Sequence, residues 1–197
     1  MRKSCLKRVV LYVMMGMILI MLCACRFYNG PTKELGKLTI RLDSEGKRAM
    51  AVEWNWSGDP EDTLIEIPDT DGDKVLIDRL GGPIGSNAPV TAFRVATNCD
   101  ELYQGEDVSK YDFDVSFDTV TFTLKLGKNI SSITCVHGNT NSKSNQYIAV
   151  KNDDGSVTFY NVLFRVECSD ENKTFYSKDG KLYLKKDDSL DSSLRYA

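Results

Sequence analysis

The sequence predicts a mainly β chain, and three observations carry that expectation. Apolar and polar residues alternate with period two in nearly every segment beyond the first two dozen residues. Asp-Gly, Asn-Gly and Gly-Pro signals punctuate those segments at short intervals. No window longer than about 12 residues in that part carries an apolar stripe at helical spacing. The expected product is a single β-rich domain of hairpins with few helices, built as a short irregular solenoid or as a sandwich.

The opening residues stand apart. Arg2, Lys3, Lys7 and Arg8 give four cations and no acid, and Val9 to Leu22 follow as 14 uncharged residues rich in Val, Met, Ile and Leu. A basic n-region followed by a short apolar h-region is the pattern of a secretory signal. The run is short for a transmembrane helix, which needs about 20 apolar residues. Arg26 to Gly36, with its Asn29-Gly30-Pro31 turn signal, reads as a tether.

Residues 37–186 read as the β-rich domain. Leu38, Ile40 and Leu42 alternate with Lys37, Thr39 and Arg41, and Asp43-Ser44-Glu45-Gly46 turns the chain. Met50, Val52, Trp54 and Trp56 then form one face of the return strand. Thr63–Pro68 and Lys74–Leu80 are short strands on either side of Asp69-Thr70-Asp71-Gly72-Asp73, and Gly81-Gly82-Pro83-Ile84-Gly85 is a connection. Asp100–Lys110 is read as a turn or two of helix. Phe113, Val115 and Phe117 alternate on odd positions, whereas Val120, Phe122, Leu124 and Leu126 alternate on even ones. That parity change predicts a bulge or turn at Asp118-Thr119. Two further hairpins follow, one around Asn152-Asp153-Asp154-Gly155 and one around Lys178-Asp179-Gly180. Residues 187–197 read as a polar, frayed tail.

Composition narrows the function classes. Without residues 1–24 the chain keeps 173 residues, enough for one ordinary domain, with 21 basic against 28 acidic side chains, a formal charge of −7. An acidic chain argues against nucleic acid as a partner and against an electrostatic grip on anionic lipid. Beyond Cys25 the cysteines are Cys99, Cys135 and Cys168. An odd count outside the cell allows one disulfide with one thiol left over, or three buried thiols. None of their spacings is Cys-x-x-Cys, which argues against a zinc or redox site.

The candidate chemistry is sparse. Trp54 and Trp56 lie two apart on one face, as an aromatic platform for glycan or protein requires, although that face is in phase with Leu38, Ile40 and Leu42 and so reads first as core. Asp69, Asp71 and Asp73 invite a calcium reading, but Gly72 falls between the second and third acids and Leu80 stands at the twelfth position. An Asx-rich turn that caps backbone amides is the reading favoured there. His137, the single histidine, sits in a polar stretch with no nucleophile motif and reads as a solvated loop residue; a dyad with Cys135 is the sharper alternative. No cofactor motif is found, and scattered carboxylates give no pair with glycosidase spacing.

Two resemblances add to this. Leu22-Cys23-Ala24-Cys25 resembles the lipobox of bacterial lipoproteins, which implies cleavage after residue 24, a lipid on Cys25, and a place on the extracytoplasmic face of the membrane. Ile65-Glu66-Ile67-Pro68-Asp69-Thr70-Asp71-Gly72 and Val166 to Tyr183, with a fainter echo in Ala92-Phe93 to Leu102, resemble the irregular leucine-rich repeats of BspA-like bacterial surface proteins. No fixed repeat of 20–29 residues accompanies them. The resemblance implies a non-catalytic cell-surface lipoprotein that serves in adhesion or protein binding, its partner an extracellular protein or glycan. A glycan- or solute-binding lipoprotein is the second expectation and an envelope hydrolase the third.

Overall fold

The computed structural model describes residues 27–85, 90–99, 117–137 and 147–197. The chain is mainly β, with no helix among the described residues. In order the strands are β1 (Thr32–Leu35), β2 (Leu38–Leu42), β3 (Arg48–Asn55), β4 (Leu64–Ile67), β5 (Leu76–Leu80), β6 (Gly82–Pro83) and β7 (Val90–Thr91). They continue as β8 (Arg94–Ala96), β9 (Phe117–Leu126), β10 (Ser132–Ile133), β11 (Tyr147–Lys151), β12 (Val157–Cys168), β13 (Phe175–Lys178) and β14 (Lys181–Leu184).

Two larger sheets share one core. The first runs β1-β2-β3-β5-β10, antiparallel through β3 and parallel from β3 onward, with β8 also parallel to β3. The second runs β11-β12-β9-β4, and β12, β9 and β4 are parallel. Ile65, Ile67, Phe122, Leu124 and Phe164 of the second sheet meet Leu38, Ile40, Ala49, Ala51, Ile77 and Leu80 of the first in a single buried cluster. Burial of this apolar surface is the main force holding the sheets together.

The parallel ladder is regular because alternation is unbroken along it. β9 and β12 pair through ten consecutive positions, from Phe117↔Phe159 to Leu126↔Cys168. β4 adds Ile65 beside Leu124 and Ile67 beside Leu126. Ile65, Leu124 and Val166 therefore stand in one buried rank, while Glu66, Lys125 and Glu167 stand in the adjacent exposed rank with Lys125 Nζ 3.6 Å from Glu167. The bulge expected at Asp118-Thr119 is absent, since every residue from Phe117 onward finds a partner on β12. Phe113, Val115 and the helix expected at Asp100–Lys110 lie outside the described residues.

β3 differs from its expected form. Thr39 pairs with Glu53 but Ile40 pairs with Ala51, so Val52 is an extra residue bulged out of the β2 ladder. The bulge switches faces. Ala49, Ala51, Trp54 and Trp56 enter the main core, whereas Met50 and Val52 pack on the other side against Tyr28 and Ile84. The four residues read as one face are thus two pairs on opposite faces. A second irregularity leaves Asp78 of β5 between Ile77↔Ala49 and Arg79↔Met50. Asp78 uses that position to accept the Tyr28 hydroxyl at 2.6 Å and Arg48 at 2.7 Å. Burial of the ring, followed by the Asp78 contact, pushes the Tyr28 phenol well above its usual range.

Both ends of the domain are more ordered than the sequence implies. The segment read as a tether holds Tyr28 fully buried, is fixed by Tyr28 N to Ile84 O at 2.8 Å, and forms β1 on β2. The residues read as a frayed tail bury Leu194 and bond Phe164 N to Arg195 O at 2.7 Å. One buried aromatic at one end and one buried leucine at the other were enough to dock these polar stretches.

Candidate functional site

Three turns carry the chain out of the parallel ladder, namely residues 68–75 after β4, 127–131 after β9 and 169–174 after β12. Because those strands are in register, the turns stack edge to edge, and side chains clamp each to the next. Lys128 N donates to Asp69 Oδ1 at 2.7 Å and Asn129 Nδ2 donates to Asp69 O at 3.1 Å. Buried Asn172 donates Nδ2 to Gly127 O and Ile130 O, both at 2.9 Å, and accepts the amides of Thr174 and Phe175 on Oδ1 at 2.9 and 2.8 Å. A side chain at position 127 would place its Cβ 2.5 Å from Asp69 Oδ1, so glycine is required there for close approach.

An open groove of about 450 Å³ runs along this edge between the second and third turns, lined by Lys128, Asn129, Ser131, Glu171, Lys173 and Thr174. A smaller one of about 160 Å³ separates the first turn from the second. The hydrogen bond from Lys128 to Glu171, 3.1 Å long, raises the Lys128 ammonium above its usual pKa. The edge is rigid, polar and of mixed charge, suited to multipoint contact with a partner.

Asp69, Asp71 and Asp73, weighed for calcium but read first as an Asx-rich turn, do not converge on one centre. Asp71 Oδ1 accepts the amides of Asp73 and Val75 at 2.9 and 3.0 Å, the pattern of an Asx turn, with Gly72 and Lys74 at positive φ. The cation there is Lys33, whose Nζ lies 2.8 Å from Asp71 and 2.7 Å from Asp73. Burial alone would raise the Asp71 carboxyl, but the bonds from Lys33, Val75 and Asp73 outweigh it and hold it below the ordinary value. Asp69 is occupied with the neighbouring turn. The clip ties β1 to the turn before β5.

Neither tryptophan is a platform. Trp54 is 9% exposed and Trp56 is 3% exposed. The Trp56 ring meets Phe122 and Tyr160 edge-on at 5.3 Å each and donates Nε1 to Asp59 O at 3.0 Å. Trp54 Nε1 is buried with no acceptor. Both indoles lie in the core, the reading favoured by their phase with Leu38, Ile40 and Leu42, while Met50 and Val52 do not share their face.

His137 is fully buried rather than solvated. Phe93 and Cys135 form a parallel bridge and Val136 N donates to Phe93 O at 3.1 Å, so the chain is still paired as it reaches His137. Cys99 and Cys135 are buried and Cys168 is half-buried. Burial pushes the Cys168 thiol up to about 11, which keeps it protonated at neutral pH. Cys25 lies outside the described residues.

The aromatic surface is on the C-terminal hairpin instead. Asp179 and Gly180 take φ of 53° and 74°, as a two-residue type I′ turn demands. That turn sets Lys178 opposite Lys181 and Tyr176 opposite Tyr183, and the two tyrosine rings stack at 5.4 Å with 18° between planes. The Lys-Asp-Gly-Lys signal fixes this register in the sequence; counting outward from it is what finds the pair. No known protein family, curated protein or solved structure matches the chain.

Proposed function

We propose that this is a surface-anchored, non-catalytic binding module, held at the membrane by a lipid on Cys25 and serving in adhesion or protein contact. The observation that carries the reading is the stack of three clamped turns, which presents a rigid, grooved and exposed edge 40 or more residues deep in sequence separation. The disposition of the acids supports binding over hydrolysis. Asp71 pairs with Lys33, Asp78 with Tyr28 and Arg48, and Glu53 with Arg94 at 2.6 Å, so these carboxylates act as structural clips.

The finer architecture in this reading is a short irregular solenoid. The turns after β4 and β9 lead to β5 and β10 of the first sheet, the turn after β12 leads to the separate β13–β14 hairpin, and parallel β4, β9 and β12 are read as successive coils. In a lipid-anchored form the domain would sit close to the bilayer, because only two residues separate Cys25 from buried Tyr28, roughly 10 Å of extended chain.

The test is a binding screen of residues 26–197 against extracellular matrix proteins and glycans, with and without calcium. Saturable binding to a protein, weakened by Lys128→Glu or Lys173→Glu in the groove, is the expected result. Turnover of any arrayed glycan, or silence across the array, would overturn the reading.

A further inference from the structure

The hairpin β13–β14 differs from the rest of the domain in charge. From Lys173 to Lys186 the chain carries five lysines and one acid, bounded by Asp170-Glu171 and Asp187-Asp188, and Asp188 accepts the Tyr176 hydroxyl at 3.3 Å. The two lysines at its tip, Lys178 and Lys181, lie directly opposite each other and form no ion pair among the described residues. Like charges facing each other across two strands destabilise a hairpin. This pair is therefore kept at a cost that an anionic ligand would remove.

Beside it lies a half-buried aromatic pair. Tyr176 and Tyr183 stack, and Tyr183 is bridged in turn to Leu190, which is 48% exposed, so three cross-strand neighbours form one strip. Along each strand the strip and the lysines share a face, since Tyr176 and Lys178, and Lys181 and Tyr183, are two residues apart. Phe175 and Leu182 point the other way and bury, which fixes the tyrosines outward.

We propose that this face binds a polysaccharide bearing carboxylates, with the tyrosine pair as the stacking platform and Lys178 and Lys181 as partners of the carboxylates. Aromatic rings accept the C–H faces of sugar rings, and closely set ammonium groups select polymers that carry charge at sugar-length intervals. The inference rests on the proposed role as an anchored binding module and names the partner of one of its faces.

The experiment uses the full lipidated chain, in neutral detergent micelles for the polysaccharides and with the detergent removed for the vesicles. Polygalacturonate is the probe, and dextran of equal length and vesicles of phosphatidylglycerol or phosphatidylcholine are the alternatives. Saturable, salt-sensitive binding of polygalacturonate is expected, weakened at least about tenfold by Tyr176→Ala. Lys178→Glu separates function from folding, because it converts the opposed lysines into an attractive pair. It should raise the unfolding temperature while weakening polygalacturonate at least about tenfold. Equal binding of dextran, preference for phosphatidylglycerol vesicles, no binding of polygalacturonate, or Lys178→Glu protein that binds as before would each overturn the proposal. A protein partner found in the array and unaffected by Lys178→Glu would overturn this site yet leave the wider reading standing.

Discussion

β3 and β9 are neighbours in the same core, yet they obey the alternation rule differently. β9 pairs ten consecutive residues with β12 and keeps Val120, Phe122, Leu124 and Leu126 on one buried side. β3 has eight residues and two irregular pairings, and Ala49, Met50, Ala51 and Val52 are all buried. The difference comes from what lies on the far side of each strand. β9 turns polar residues outward, so its register is fixed by one face. β3 is covered on both faces, by the main core and by Tyr28, and a strand buried on both faces has no polar parity to protect. A bulge there serves to aim Val52, and on β5 to aim Asp78, at the docked Tyr28.

The largest expected effect follows directly. Deleting Thr121 from β9 shifts every later residue by one and turns Phe122, Leu124 and Leu126 away from the core. The variant should show no cooperative unfolding transition by circular dichroism. Deleting Val52 from β3 should instead leave a folded protein, because Ala51 and Glu53 would then follow each other in register with Ile40 and Thr39. Its cost is the lost packing of one buried valine, about 2 kcal/mol. Equal damage from the two deletions would break the comparison.

This contrast also explains what the sequence disclosed. The strands that alternate against a polar outer face, β2, β9 and the second half of β12, were legible, as were the hairpins around Asp154-Gly155 and Asp179-Gly180, because turn chemistry and period two are local. The bulge at Val52 was not, since Met50, Val52, Trp54 and Trp56 satisfy a straight strand equally well and only the distant Tyr28 selects the bend. His137 is buried just beyond the bridge of Cys135 to Phe93, a partner more than 40 residues away. The clip of Lys33 to Asp71 and Asp73 likewise spans 38 and 40 residues. Local patterns revealed elements; long-range partners decided which acids and aromatics were free to serve a site.

The regular half depends on its turns. Asn172→Ala removes four hydrogen bonds and strands Gly127 O, Ile130 O and the amides of Thr174 and Phe175 in a buried place. A loss of about 3 to 4 kcal/mol is expected by urea denaturation, at roughly 1 kcal/mol for each bond. A loss below about 1 kcal/mol would mean that the strands hold the stack without the clamp.

The two tryptophans compare the halves within a few residues. Trp56→Phe forfeits the bond to Asp59 O and opens space between Phe122 and Tyr160, costing about 2 kcal/mol. Trp54→Phe removes an indole N–H that has no acceptor, so the relief of that donor offsets the lost area and the net change stays within about 1 kcal/mol. Matched urea curves for the two variants measure the difference.

The smallest effect separates the regions by charge. The Asn172 clamp is neutral, whereas β1 is held by ionised Lys33 and Asp71. The Asp71 pKa is lowered on folding from 3.8, so the stability it contributes is complete above about pH 5 and is lost as pH falls through the depressed value. The Lys33 pKa is raised on folding from 10.5, chiefly by its bond to Asp71, so its contribution is complete below that value and is lost as pH rises through the elevated one. The clip is therefore whole between about pH 5 and 10 and fails first in acid. Protection of the β1 amides, taken relative to the intrinsic exchange rate at each pH, should fall at pH 3 while β9 and β12 stay protected. In Asp71→Asn protein the β1 amides should exchange faster than wild type at pH 7 and approach wild type at pH 3. Acid loosening confined instead to β9 and β12 would place the charge-dependent contacts in the ladder and reverse the assignment.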